Sequence, residues 1–329
     1  MSEKATYFNE REHQICLVAP MLEDEAVAVA RDWTDTAGIE VADETIREAL
    51  DLASHYLPGL AAPGSLIRIL ELAAERAERA GEAAVEPRTI IATLAEATGL
   101  PLHVLDPRAQ LDLGAVRSFF AERVLGQPAA VETLVERIAL VKAGLTDPTR
   151  PLGVFLFVGP TGTGKTEIAK RLAEFLFGSA DRLVRLDMSE FQTPESLERL
   201  LTDSSFEPQA SPLIASVRKD PFSVVLLDEF EKAHANIWDV FLQVFDDGRL
   251  TDRSGRVVDF RHCVIVLTSN VGSAIPTRPG LGFGSTVESF DTTSIERAVA
   301  RAFRPELLNR LDRVVVFRPL EREVMRALV

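Results

Sequence analysis

One stretch constrains this chain more than any other: GVFLFVGPTGTGKT, Gly153 to Thr166, a short apolar run that breaks into a glycine-rich turn and ends in Lys-Thr. The next segment, EIAKRLAEFLF from Glu167 to Phe177, places apolar residues at helical spacing. Strand, loop and helix in that order make a phosphate-binding loop. With glycines at three positions, the turn from Gly159 through Pro160, Thr161, Gly162 and Thr163 to Gly164 can present backbone N–H groups to phosphate oxygens. Lys165 adds a point charge near the β/γ phosphates, and Thr166 offers a hydroxyl to Mg²⁺. The helix that follows turns the positive end of its dipole to the same anion. A glycine-rich turn with a chance lysine would lack that context.

A second constellation points from binding to hydrolysis. Ser223 to Glu229 reads SVVLLDE, an apolar run suited to a strand buried on both faces, finished by two carboxylates. Ligands of open α/β sheets gather at such strand ends. Asp228 is thus placed to hold Mg²⁺ through water and Glu229 to polarise an attacking water. An acidic strand end that only caps a helix is the alternative. A further apolar run, Cys263 to Leu267, ends in Thr268, Ser269 and Asn270. Asn270 is either a turn residue or the group that orients the same water.

Charge and composition narrow the classes. The 329 residues carry a net charge of −14, which removes the usual electrostatic drive for nucleic-acid binding. No segment is long and apolar enough to span a bilayer, and MSEKATYFNE has no signal-peptide core. Two cysteines, Cys16 and Cys263, support neither a disulfide framework nor a zinc site, as suits a reducing cytoplasm.

The first hundred or so residues read as helices over Glu23–Thr36, Glu44–Leu57, Ser65–Ala80 and Pro87–Thr98, with Asp43 as an N-cap and Ile46, Ala49, Leu50, Ala53 and Leu57 on one face. They hold no phosphate loop. Helices over Leu111–Val124 and Ala129–Ala143 then lead into alternating strands and helices, with strands at Val154–Val158, Leu183–Leu186, Val224–Leu227, Val264–Leu267 and Val314–Phe317. The pattern predicts an α/β fold with a parallel five-stranded sheet, preceded by an all-α helical domain.

The ordered set VLGQ (Val124 to Gln127), GPTGTGKT, LDMSEF, LLDEFEKAH, QVFDDGRLTD, VDFR, LTSN and FRPELLNRLDRVVVF resembles the C-terminal ATPase module of Clp-type AAA+ unfoldases. The helical front, notably HYLPGLAAPGSLIRILELA, resembles the small lid domain of a preceding module. The resemblance implies a lead segment over 1–22, a helical lid domain over 23–106 and an AAA+ P-loop ATPase domain over 107–329. It implies a homohexamer that binds ATP and Mg²⁺ between subunits and acts on protein substrates, with neither nucleic acid nor membrane as partner. Val124 and Leu125 would contact adenine, or pack as ordinary core. Arg310 matches the arginine finger that reaches a neighbour's γ-phosphate; a surface arginine paired with Asp312 fits the same letters. A ring that switches assembly with ATP and threads nothing is the second reading.

The chain departs from the family pattern in its grip and at its ends. Where the family carries a glycine-flanked aromatic loop that holds polypeptide, DSSFEPQASP at Asp203 to Pro212 offers only Phe206, either as the gripping residue or as an anchor for the loop. The family's C-terminal lid is missing after Val329, and Arg11 to Pro20 resembles the tail of a preceding large domain, so a fragment of a two-module protein is expected. In PGLGFG, Leu281, Gly282 and Phe283 match the tripeptide by which protease-coupled members dock on ClpP. Folding back onto its own domain is the other outcome for that loop.

Overall fold

The computed structural model describes residues 21–57, 60–203, 211–272 and 292–327. The chain divides after Leu105 into two compact units. The first is helical: α1 (Glu23–Ala37), α2 (Asp43–Tyr56), α3 (Gly64–Ala80) and α4 (Pro87–Thr98). Ile46, Ala49, Leu50 and Ala53 of α2 meet a core that includes Leu66, Ile69, Leu70 and Ala73 of α3 and Ile90 and Leu94 of α4. Leu57 follows the last turn of α2 and is only half-buried. Asp43 is not the cap: Ala42 holds that position, and Asp43 opens the helix, where its carboxylate pairs with Arg31. A carboxylate in a first turn still meets the positive end of the dipole.

The second unit contains the strands β1 (Gly153–Val158), β2 (Leu183–Asp187), β3 (Val224–Asp228), β4 (Arg249–Thr251), β5 (Val257–Asp259), β6 (Val264–Ser269) and β7 (Arg313–Val316). Five form one sheet in the order β2–β3–β6–β1–β7, all parallel. β4 and β5 make a separate antiparallel hairpin. Every residue of β1 and β6 is buried, which is why the runs Val154–Val158 and Val264–Leu267 are apolar without alternation. One core side gathers Leu156, Val158, Leu227, Ile265 and Leu267 with Phe230, Phe241 and Phe245. Cys263, just before β6, is fully buried against Pro221 and Ser223; burial pushes its thiol up to about 12, so it is inert at neutral pH.

The amino end of the sheet is closed by an ionic anchor. Asp312, just before β7, accepts from the Val154 amide at 2.8 Å and from Arg137 Nη1 at 3.0 Å. Both side chains of this pair are 19% exposed. The anchor sets β7 in register with β1, Phe155 opposite Arg313 and Val158 opposite Val316.

Candidate nucleotide site

The glycine turn leaves the carboxyl end of β1 and enters the helix Lys165–Phe177. A Cβ on Gly159 would lie 2.4 Å from the Phe317 carbonyl oxygen, because the end of β7 closes on this point through a 2.7 Å bond from the Phe317 amide to the Val158 carbonyl. Gly164 stands at the N-cap with φ of 101°, a left-handed value that side chains resist. The helix has no side-chain cap, which leaves its first-turn amides for an anion. Thr161, Gly162 and Thr166 are exposed, so the cradle opens to solvent.

Lys165 does not reach into that solvent. Its residue is 7% exposed, and Nζ donates to the carbonyls of Gly159 at 2.6 Å and Pro160 at 2.9 Å and to Asn270 Oδ1 at 3.1 Å. Burial lowers its pKa, and the carboxylates of Asp228, Glu231 and Glu229 oppose the shift. The lysine thus closes the loop on itself and rests on the residue that follows β6.

The sheet order explains why that residue is Asn270. β6 lies between β1 and β3, so its end separates the glycine turn from the two acids. Asn270 bridges them, with Oδ1 on Lys165 and Nδ2 donating to Glu229 Oε1 at 2.9 Å. Glu231 Oε1 accepts from the Asn270 amide at 3.0 Å and fixes its backbone. One β6 side chain also binds the other acid: Thr268 Oγ1 donates to Asp228 Oδ1 at 2.5 Å and accepts from the Glu229 amide at 3.1 Å. Arg185 of β2 donates to Asp228 Oδ2 at 2.6 Å.

Glu229 is held in an unusual state. It is the one residue other than glycine with positive φ among those described, at 55°. A left-handed backbone at a side-chain-bearing residue costs on the order of 1–3 kcal/mol and recurs at functional sites. Lys232 Nζ donates to Glu229 Oε2 at 2.5 Å, and the Lys232 amide donates to the Glu229 carbonyl at 2.9 Å. Both carboxylate oxygens therefore have partners, one to each side.

The segment Val124–Leu125 lies beside the cradle. Val124 is buried, Leu125 half-buried, and Val124 Cγ1 is 3.8 Å from where a Gly164 side chain would begin. Gln127 next to them is buried at 3% exposure. Its Nε2 donates to the Thr163 carbonyl at 3.1 Å and the Arg318 carbonyl at 2.8 Å, and its Oε1 accepts from the Arg318 amide at 3.0 Å. Gln127 thus ties the glycine turn to the exit of β7. Nothing local in VLGQ marks this role, since both partners are backbone groups remote in sequence.

Arg310 is not brought to the cradle. It precedes β7 at the amino edge of the sheet, while the turn lies at the carboxyl edge, and the six residues of β1 span the gap, about 20 Å at ~3.3 Å per residue. Its partner is Asp246, through Nε to Oδ2 at 2.8 Å, and not Asp312, which the Arg137 anchor occupies. Phe206 and the tripeptide Leu281, Gly282 and Phe283 lie outside the described residues.

The donor set suits a magnesium triphosphate. One hydroxyl, Thr166, and one carboxylate, Asp228, accord with an ion that takes its other ligands from phosphate and water. A glycine cradle at one strand end and acids two strands away, joined by Asn270, define a P-loop nucleoside-triphosphate module.

Comparison with known proteins narrows the class. Residues 150–314 match the family model described as AAA domain (Cdc48 subfamily). The chaperone protein ClpB of Meiothermus ruber is 43% identical over 275 residues, 81% of this chain and 32% of that protein. The ATP-dependent Clp protease ATP-binding subunit ClpC of Staphylococcus aureus (strain USA300) is 40% identical over 240 residues, 70% of this chain and 29% of that protein. Among solved structures, Hsp104 with ATPγS and FITC-casein in its closed state aligns with a TM-score of 0.77 at 30% identity, over 97% of this chain and 56% of that one. The extended S. cerevisiae Hsp104:casein complex gives 0.76 at 30% identity, over 94% and 54%. The chain belongs to the Clp-type AAA+ ATPases. It spans about a third of the length of the curated relatives it matches.

Proposed function

We propose that this chain is the ATP-binding and ATP-hydrolysing module of a Clp-type protein unfoldase or disaggregase that works in the cytoplasm as a homohexamer. The hydrogen-bonded path Lys165–Asn270–Glu229 carries the reading, because it couples the residue nearest the phosphates to the residue nearest the attacking water. The loop amides from Thr161 to Thr166 and Lys165 hold the phosphates, and Val124 and Leu125 take the adenine. Thr166 and Asp228 hold Mg²⁺, which spreads the negative charge of the triphosphate. Glu229 accepts the proton of the attacking water, and Asn270 orients that water. Arg310 serves a neighbouring copy, since its own cradle lies at the far edge of the sheet. Catalysis of this kind is positioning and charge stabilisation.

Polypeptide is the substrate class, in line with relatives that are a chaperone and a protease subunit. Phe206 takes the place of the family's aromatic grip. In the full-length protein, Phe206→Ala should slow ATP-dependent unfolding of a tagged substrate while ATP turnover continues. An ATP-hydrolysing ring that never unfolds the substrate would instead establish the non-threading assembly switch, which the missing glycine-flanked aromatic motif favours. Leu281, Gly282 and Phe283 are assigned to docking on the ClpP protease. Phe283→Ala should then abolish co-elution with ClpP and spare hydrolysis; unchanged co-elution removes that partner.

A further inference from the structure

The surroundings of Arg310 assign a role to a residue outside the nucleotide cradle. Arg150, three residues before β1, donates from Nε to the Phe245 carbonyl at 2.9 Å and from Nη2 to the Arg310 carbonyl at 2.7 Å. It thereby fastens the end of the helix Ala235–Asp247 to the turn that follows Pro305–Leu308. The residue after Phe245 is Asp246, whose Oδ2 accepts from Arg310 Nε at 2.8 Å. Arg310 Nη1 also donates to the Glu306 carbonyl at 3.2 Å, while Nη2 has no acceptor among the described residues.

Asp246 and Arg310 are 42% and 36% exposed, so their pair adds little to the stability of the fold. Its effect is on direction. A free arginine side chain at this exposure samples many rotamers. Two bonds, to Nε and Nη1, set the plane of the guanidinium and leave its Nη2 corner open. Arg150 holds the backbones at both ends of the pair, so the aim is built on a helix and a sheet edge and not on a loose loop.

We propose that Asp246 is a positioning residue for Arg310: its carboxylate on Nε aims the open corner of the guanidinium at the γ-phosphate bound by the adjacent copy of the chain. The proposal rests on the trans role given to Arg310 above and adds the group that aims it. Asp246 touches no nucleotide.

The test uses the full-length, ring-forming protein and four forms: Asp246→Ala, Asp246→Asn, Arg310→Ala and Asp246→Ala with Arg310→Ala. Asp246→Ala should lower kcat about 10- to 100-fold with KM and ring mass unchanged, the scale of loss for a misplaced catalytic group. Asp246→Asn, which keeps an oxygen for Nε, should recover most of that loss. Added to Arg310→Ala, the Asp246→Ala change should cost nothing further, since it acts only through the arginine. Wild-type turnover in Asp246→Ala beside a deficient Arg310→Ala overturns the proposal and leaves the trans finger standing. Additive losses in the double variant, or a broken ring in both Asp246 variants, make Asp246 a structural residue and overturn it too. Wild-type turnover in Arg310→Ala removes the finger itself, and the positioning role with it.

Discussion

Glu229→Gln is expected to lower ATP turnover of the full-length protein by about 10²–10⁴-fold, the usual contribution of a positioned general base, without loosening nucleotide. The substitution keeps length and shape. Its amide oxygen can still accept from Asn270 Nδ2, so the bridge from Lys165 survives. What it loses is the capacity to take a proton and the acceptor for Lys232, an exposed ammonium that water resolvates readily. Backbone strain at φ of 55° is shared by Glu and Gln, so the unfolding midpoint should hold. Steady-state turnover with nucleotide affinity on the same preparation decides the matter. Turnover equal to wild type would strip Glu229 of the proton-accepting role.

The parts of this site that were legible in the sequence are those whose signals are local. A buried strand, a glycine turn and a helix give runs that can be read within a dozen residues: four of the five predicted strands fall inside observed strands, and the fifth, Val314–Phe317, overruns β7 by one residue. Roles that follow chain order, such as Lys165 before Thr166, came with the loop. Insertion of β6 between β1 and β3 was not legible, because sheet order depends on crossovers that leave no local mark. The sequence offers Asn270 as a turn residue or as the group that orients the water beside Glu229; its bridge from Lys165 to Glu229 follows from that insertion. Pairings across sequence distance failed for the same reason. Arg310 stands two residues from Asp312 yet binds Asp246, since Asp312 is drawn to Arg137 and the Val154 amide when β7 docks. The hairpin of β4 and β5 leaves no strand signal in the sequence, for at three residues each its runs are too short to show a period.

The second large effect concerns Lys165. Lys165→Ala should weaken nucleotide binding by about 10²-fold, the worth of one or two charge-assisted hydrogen bonds of ~1.5–3 kcal/mol each. The free site makes the lysine more than a surface charge: it is desolvated, and Asp228, Glu231 and Glu229 supply its counter-charge. Removing it leaves three carboxylates facing one another across Asn270. Asp228 keeps Arg185, and Glu229 keeps Lys232, so these two remain paired, whereas Glu231 has a buried Oε2 with no hydrogen-bond partner and only the Asn270 amide on Oε1. The two retained pairs should keep the variant folded, the uncompensated Glu231 should lower its unfolding midpoint, and ATP should no longer raise that midpoint, because ligand stabilisation follows affinity. Alkaline pH offers a second readout. Burial sets the lysine pKa in the free site below the ordinary 10.5, so as pH rises through that lowered value the wild type sheds its charge and its affinity. That decline begins before exposed lysines titrate, and Lys165→Ala, with no charge there to lose, should show none of it. A variant that binds ATP as tightly as wild type, or that keeps the alkaline decline, would mean that the ammonium under Gly159 and Pro160 secures the loop and contributes nothing to holding phosphate.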